Sequence, residues 1–376
     1  MIRLTVPSID EEDLEAVRQA IASGFLVQGP RVAEFEESVA HKVGARHAIA
    51  VANGTCALHL ALASLGVEAG DLCVVPAYSW VATANVVEHC GAQPLFVDID
   101  YRTFNIDVAR LEEQLASLMS NPDTARRTKA VIPVHAFGLM ADMRAIGEVC
   151  ARWGVPVVED AACALGASLD HRQAGSWGKL GCFSFHPRKA VTTGEGGIVA
   201  TDDASLASKI RALRNHGQDP DATSQDFILA GYNFRLTEFQ AALGLVQLKK
   251  LERIILKRRE AAGRYDAMLG GSPLEAPRAP AGACHVYQSY VTLLPEDFAS
   301  RRGEVIKAAR ERGVELQVGT IHMPLTTYYR GRYDHREGQF PVTDAVAQRA
   351  LTLPLFENIS IEQQSTVVDV ISHLVS

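Results

Sequence analysis

Residues 181–200, GCFSFHPRKAVTTGEGGIVA, have an apolar run at each end and a polar, glycine-flanked turn between them. This pattern predicts two strands joined by a rigid corner that presents Lys189. A lysine between buried strands is poorly hydrated, which favours the free amine that can attack a carbonyl or carry a proton. The alternative is a solvated loop lysine, and this stretch alone does not decide between the two.

A second stretch lies upstream, where residues 154–166, GVPVVEDAACALG, end a buried-type strand in two acids. A carboxylate at the carboxyl end of a parallel strand points into the crevice where α/β sheets bind ligands. Asp160 and Lys189 together match the needs of pyridoxal phosphate (PLP): the lysine forms a Schiff base, and the carboxylate keeps the pyridine nitrogen protonated. The alternatives for Asp160 are a helix N-cap or a structural ion pair.

The overall composition excludes several classes of function. The 376 residues allow one large core with a smaller appended domain, and a net charge of −7 without a basic block argues against nucleic acid and membrane surfaces. Seven scattered cysteines without CxxC pairs indicate reduced thiols, and the twelve histidines have no metal-binding spacing. With no signal peptide and no membrane-spanning run in the sequence, we expect a cytoplasmic protein.

The hydrophobic pattern predicts the fold class. From His47 to about Ala200, apolar runs, among them 72–75 and 155–158, alternate with helical stretches, which predicts an α/β fold: a three-layer α/β/α domain around a mostly parallel mixed sheet. Two helices near the amino terminus form an arm on it. A further helix is expected over residues 361–374. Glycines and prolines over residues 270–282 indicate a linker. We therefore expect a large domain with its arm over residues 1–270 and a small α+β domain over residues 271–376.

Further candidate residues follow other predicted strands. Gly54 and Thr55 begin a helix whose free N–H groups and threonine hydroxyl could bind a phosphate, and Ser184 could add a second hydroxyl. An ordinary helix cap is the alternative. Trp80 could lie flat against a cofactor ring or belong to the core. His135 could face the crevice or be a hydrogen-bonded structural histidine.

Six motifs occur in an order that is more specific than any one of them: NGTCALHLAL, SWVATANVV, VPVVEDAACALGA, FSFHPRKAVTTGEGG, RNHG and GYNFRLTEFQAALG. With these motifs, nearly the whole chain resembles the DegT/DnrJ/EryC1/StrS family of PLP-dependent sugar aminotransferases, which have the PLP-transferase fold of type I. The resemblance implies that Lys189 holds PLP and shuttles the proton, and that Asp160 pairs with the pyridine nitrogen. It also implies that the phosphate is bound by Gly54, Thr55 and Ser184.

The resemblance implies five further contacts. Trp80 would stack on the ring, and Asn233 would reach the phosphate from a neighbouring subunit, so that a homodimer shares its active sites. Members of the family often have Gln or His at the position of Cys163, near the cofactor's 3′-oxygen; here a thiol takes that place. His186 and His322 would contact the substrate.

The implied reaction is a ping-pong transfer from an amino acid, expected to be L-glutamate, through pyridoxamine phosphate (PMP) to a nucleotide-linked ketosugar, expected to be a 4-keto-6-deoxyhexose. A cyclitol or other cyclic ketone is the main alternative acceptor. The related sugar dehydratases have histidine where this chain has Lys189, which favours transfer. A non-enzymatic regulator on the same fold would have lost the lysine, the aspartate or the phosphate site, and none is lost here.

Overall fold

A computed structural model describes residues 1–375 of the chain. Its helices are α1 (Glu11–Ala22), α2 (Pro30–Val43), α3 (Gly54–Ser64), α4 (Ala82–His89), α5 (Val108–Met119), α6 (Pro122–Arg127), α7 (Met143–Trp153), α8 (Ala204–Arg214), α9 (Glu238–Met268), α10 (Arg302–Glu311), α11 (Thr327–Tyr333), α12 (Pro341–Arg349) and α13 (Ile361–Leu374). Its strands are β1 (His47–Val51), β2 (Leu72–Pro76), β3 (Tyr78–Ser79), β4 (Gln93–Val97), β5 (Thr128–Val131), β6 (Val158–Asp160), β7 (Ser168–Leu169), β8 (Arg172–Gln173), β9 (Leu180–Ser184), β10 (Gly197–Thr201), β11 (Ala283–Cys284), β12 (Tyr290–Leu293), β13 (Gln317–Val318), β14 (Ile321–His322) and β15 (Ala350–Leu353).

The central sheet has the strand order β4-β2-β5-β6-β9-β10-β1, with β5 and β6 joined by single parallel bridges. All neighbouring pairs from β4 to β9 are parallel, whereas β10 is antiparallel to both β9 and β1. Residues 185–196, which join β9 to β10, contain no helix, whereas a parallel pair needs a long crossover that is usually helical, so β10 returns antiparallel to β9. The predicted α/β fold with a mostly parallel mixed sheet is confirmed.

Helices cover both faces of this sheet. Along β1, Ala48 and Ala50 belong to one hydrophobic cluster, and Ile49 and Val51 belong to another. Side chains of a strand alternate between faces, so each cluster lies on its own side. The first cluster contains residues of α2, α5, α7 and α9, and the second contains residues of α3, α4 and α8. The result is the predicted three-layer arrangement.

The long helix α9 contributes to two hydrophobic cores. Leu251 and Ile254 belong to the cluster under the central sheet, while Ala261 and Tyr265 pack with α10, α13 and the antiparallel sheet β12-β15-β13. Because one continuous helix serves both cores, they are tightly coupled. The domain boundary at residue 270 stays a prediction.

Two segments from opposite ends of the chain reach the carboxyl edge of the central sheet. Strand β14 pairs with β3, just after β2, and the Leu4 carbonyl accepts a hydrogen bond from the backbone N–H of Leu355.

Helix α1 packs on α9, where the buried Lys250 amine donates to the carboxylates of Asp10 and Asp13. Within residues 1–375, no helix combines the length and apolar character needed to cross a bilayer.

Candidate active site

A cavity of about 750 Å³ lies at the carboxyl edge of the central sheet. The ligand crevice of an open α/β sheet is expected at this edge. Residues near both ends of the chain complete its wall, among them Leu4, Thr5 and Thr352. The site residues predicted from sequence that line it are Gly54, Thr55, Trp80, Asp160, Cys163, Ser184, His186 and Lys189.

Lys189 lies on the predicted corner between β9 and β10. Its backbone N–H donates to the His186 carbonyl at 2.8 Å. The Phe185 carbonyl accepts from the Thr192 hydroxyl at 2.8 Å and from the Thr193 backbone N–H at 3.0 Å. These bonds fix the turn, so the half-buried amine has a defined position. Lys189 Nζ donates to Cys163 Sγ at 3.1 Å.

Asp160 ends β6 and is only 5 % exposed. Its Oδ2 accepts from the Thr83 hydroxyl at 2.7 Å, and its Oδ1 accepts from the backbone N–H of Ala162 at 3.2 Å. Thr83 in turn lies 3.2 Å from the Ser79 hydroxyl. Within the described part of the chain, Asp160 neither caps a helix nor forms an ion pair, so both alternative interpretations are wrong. A hydroxyl relay orients the carboxylate instead.

The start of α3 lies against the end of β9. Asn53 caps the helix by accepting from the backbone N–H of Cys56 at 2.9 Å, and Gly54 and Thr55 follow in its first turn. A Cβ atom on Gly54 would lie 2.8 Å from Ser184 Cβ, so only glycine allows this approach. Free N–H groups at the start of an eleven-residue helix and the hydroxyls of Thr55 and Ser184 form an anion-binding corner.

Trp80 follows β3 and is 65 % exposed, although its side chain lines the cavity. An exposed indole face is free to stack on a planar ring. Core packing, the alternative weighed from sequence, is therefore wrong for this residue.

The two histidines considered from sequence as facing the crevice or the substrate, His186 and His135, differ in position. His186 lines the cavity, where burial lowers the pKa of its imidazole, so the ring is neutral at pH 7. Its Nδ1 accepts from the backbone N–H of Arg188 at 3.2 Å. His135 is fully buried and its Nε2 lies 2.9 Å from Oε2 of Glu159. His135 therefore has the structural role, not the crevice position.

Glu159 and Asp160 are adjacent in sequence but serve different purposes. The fully buried Glu159 carboxylate accepts backbone hydrogen bonds from Gly175, Trp177 and Gly178, at 2.8, 2.6 and 2.6 Å. Because neighbouring side chains on a strand point to opposite faces, only Asp160 reaches the cavity. Glu159 stabilises the loop that leads into β9 and Lys189.

Two predicted site residues do not line the cavity. His322 Nε2 lies 2.8 Å from Oδ1 of Asp344, and its buried Nδ1 has no hydrogen-bond partner among residues 1–375. Burial lowers the pKa of His322, against the opposing effect of Asp344. Asn233 is exposed on the segment before α9. A contact of Asn233 with a neighbouring subunit stays a prediction.

Sequence reasoning missed several residues of the site. Tyr78, Ser79, Arg188, Gln288 and Gln317 line the cavity, and Thr83 holds Asp160. Ser79 ends β3 and Thr83 lies in the first turn of α4, four residues later, a spacing that could have indicated a shared partner. Gln288 and Gln317 have no comparable local signal. In the described residues, no group of three or more His, Cys, Asp or Glu side chains could hold a metal ion.

Comparisons with known proteins show the family of this chain. Residues 7–372 match the model of the DegT/DnrJ/EryC1/StrS aminotransferase family. A GDP-perosamine synthase of Caulobacter vibrioides is 38 % identical over 84 % of this chain and 83 % of its own length. A UDP-4-amino-4-deoxy-L-arabinose–oxoglutarate aminotransferase of Shewanella sediminis is 34 % identical over 98 % of this chain and 97 % of its own.

A solved structure is similar over the same extent. NtdA from Bacillus subtilis, with bound cofactor PMP, superposes with a TM-score of 0.86 at 28 % identity, covering 99 % of this chain and 86 % of that one. The type I fold, the resemblance drawn from the motifs, the enzyme class and the cofactor, PLP with its PMP form, are thereby confirmed. The chain belongs to the DegT/DnrJ/EryC1/StrS aminotransferase family.

Proposed function

We propose that this aminotransferase uses PLP to move an amino group from L-glutamate to a nucleotide-linked ketosugar, a 4-keto-6-deoxyhexose, by a ping-pong mechanism. The observation that carries the proposal is that Lys189 and Asp160 line one cavity of about 750 Å³. The names of the relatives support it, since one makes GDP-perosamine and another is an oxoglutarate aminotransferase. Oxoglutarate is the product that glutamate leaves after giving up its amino group.

The residues of the cavity fit PLP. The cofactor has an aldehyde, a pyridine nitrogen and a phosphate, and the cavity offers an amine at Lys189, a carboxylate at Asp160 and the anion-binding corner at the start of α3. Gly54, which leaves room for Ser184, makes that corner possible. When bound, PLP supplies the carbonyl carbon that accepts the amine and a ring that draws electrons from the substrate.

Each residue contributes a definable step. The Lys189 amine binds the cofactor at rest and, once released by the donor, takes the proton from the substrate carbon at Nζ and returns it at the other end of the transfer. Asp160, fixed by Thr83 and the Ala162 N–H, holds a proton on the pyridine nitrogen. Trp80 would supply an apolar face against which a planar ring can stack.

We further propose a homodimer that completes the site through Asn233. Exposed apolar side chains include Phe25, Leu26, Phe227 and Ile228. The Glu238 N–H donates to the Leu26 carbonyl at 3.0 Å. This bond places the segment with Phe25 and Leu26 at the start of α9, which follows Asn233 closely in sequence. Covering such surface from water favours association with a second copy.

The cytoplasmic location likewise stays a prediction.

The test starts with the purified protein loaded with PLP. Glutamate should remove the visible absorbance of the lysine-bound cofactor, and a panel of nucleotide ketosugars should then yield amino sugars detectable by mass. Lys189→Ala should lack that absorbance and both half reactions. Lys179→Ala, at an exposed lysine that pairs with Asp203 at 2.7 Å, is the matched control.

Each other outcome has a defined meaning. Turnover by Lys189→Ala in both half reactions would overturn the role of the lysine. If every nucleotide sugar failed and a cyclitol ketone were aminated, the acceptor would be the alternative class. Loss of water from the sugar without nitrogen transfer would indicate a dehydratase.

A further inference from the structure

Two cationic residues, Arg188 and Lys189, line the cavity, and the proposed reaction gives a role only to Lys189. Among the cavity-lining residues of the described chain, the side chains with full charges are Asp160, Arg188, Lys189 and Glu195. The Lys189 amine binds the cofactor and moves the proton. Both proposed substrates carry negative charge beyond the reacting atoms, and Arg188 is the cation that remains to bind it.

Two glutamines hold Arg188 in place from distant parts of the chain. Its Nη1 donates to Oε1 of Gln317 at 3.1 Å, and its backbone carbonyl accepts from Nε2 of Gln288 at 2.8 Å. Both glutamines also line the cavity. Arg188 is exposed, and no carboxylate within residues 1–375 forms an ion pair with it.

The chemistry of this arrangement suits an oxyanion. A guanidinium presents several N–H donors in a planar fork that matches a carboxylate or a phosphate. Gln317 accepts from Nη1, which leaves the other nitrogen atoms for a ligand. A neutral amide orients the group without cancelling its charge, whereas a carboxylate partner would neutralise it.

We propose that Arg188 binds an oxyanion of a substrate and thereby sets substrate specificity, with Gln317 and Gln288 as its positioning residues. The oxyanion is either the distal carboxylate of the dicarboxylic amino donor or a phosphate of the nucleotide-linked acceptor. This inference rests on the proposed function for the identity of the two substrates. The oxyanion proposed for Arg188 is not the cofactor phosphate, for which the start of α3 is the proposed site.

Binding measurements test the proposal without turnover. Isothermal titration calorimetry of the PLP-loaded protein would use 2-oxoglutarate as the dicarboxylate probe and UDP and GDP as the diphosphate probes. Loss of a charged hydrogen bond predicts that Arg188→Gln raises the Kd of a probe about tenfold to a hundredfold. Arg188→Lys, which keeps the charge but not the fork, should fall between. Arg126→Gln, at an exposed arginine of α6, is the control and should bind as wild type.

The pattern of losses identifies the ligand. Weaker binding of 2-oxoglutarate alone assigns Arg188 to the donor, and weaker binding of UDP or GDP alone assigns it to the acceptor. Weaker binding of both supports one site used in turn, as a ping-pong cycle allows. Unchanged Kd values for all probes, or a changed Kd for PLP in their place, would overturn the proposal.

A second variant separates positioning from a general structural role. Gln317→Leu should raise KM for the substrate that Arg188 binds, with kcat and the unfolding temperature close to wild type. Gln317→Glu keeps an acceptor oxygen for Arg188, but its negative charge should weaken binding of the anionic substrate. An equal loss with every substrate would contradict the positioning role. If wild type aminates no ketone, the proposed function fails, whereas active wild type with unaffected Arg188→Gln removes only this inference.

Discussion

Replacing Gly54 by alanine should weaken cofactor binding by deforming the corner between the start of α3 and the end of β9. The new Cβ would lie 2.8 Å from Ser184 Cβ and 3.2 Å from Ser184 Oγ. Ordinary contacts begin at 3.4 Å, so one side must give way by 3.4 − 2.8 = 0.6 Å. Retreat is blocked on another side, because Gly197 of β10 is so close that a Cβ there would lie 3.0 Å from Gly54 N. The anion-binding corner must therefore deform.

The expected magnitude follows from the cost of overpacking. Extra methyl groups in tightly packed positions cost about 1–3 kcal/mol. If that strain is concentrated where the phosphate binds, the Kd for PLP rises about fivefold to 150-fold. Gly263→Ala is the matched control, since a Cβ in that part of α9 would meet nothing within 4 Å. It should leave PLP binding unchanged and stabilise the helix by about 0.5–1 kcal/mol.

The assay is a PLP titration of the apoprotein, followed by absorbance, together with thermal unfolding of each variant. Adding Ser184→Gly to Gly54→Ala removes the atom that clashes. The double variant should recover the unfolding temperature but not the affinity for PLP, because the hydroxyl is gone. Wild-type affinity and wild-type unfolding temperature for Gly54→Ala alone would contradict this prediction.

Two further predictions concern stability. Burial lowers the pKa of His285 to about 4, below its unfolded value of about 6.5, so the folded state binds fewer protons between these values. The contribution of His285 to the free energy of unfolding should thus be full above pH 6.5 and fall by about 3 kcal/mol on acidification to pH 4. Denaturant unfolding should show this pH dependence, and His285→Gln should reduce it. An unchanged pH dependence in the variant would contradict the prediction. Lys250→Met should cost about 3–5 kcal/mol by leaving the buried Asp13 carboxylate without its cation, whereas Lys257→Met, at an exposed pair, should change urea unfolding by less than about 0.5 kcal/mol. Equal effects of the two lysines would contradict the importance of burial.

Local patterns in the sequence predicted most elements well. The helix expected at 361–374 is Ile361–Leu374, and the strand expected at 72–75 is Leu72–Pro76. The strand expected at 155–158 is displaced to Val158–Asp160, because its pairing with β9 begins only at Val158. Apolar periodicity records which side of a segment is buried, but the limits of a strand depend on its partner.

The sequence alone determined the type of fold and the group of residues around Lys189, since both depend on short motifs at the ends of predicted strands. Only the tertiary structure decided which side chains face the cavity. It gives His322 a bond to Asp344 away from the cavity wall and brings Gln288 and Gln317 to Arg188. These contacts join residues up to 129 positions apart, and no local pattern encodes them because the packing of distant elements fixes their distance and direction.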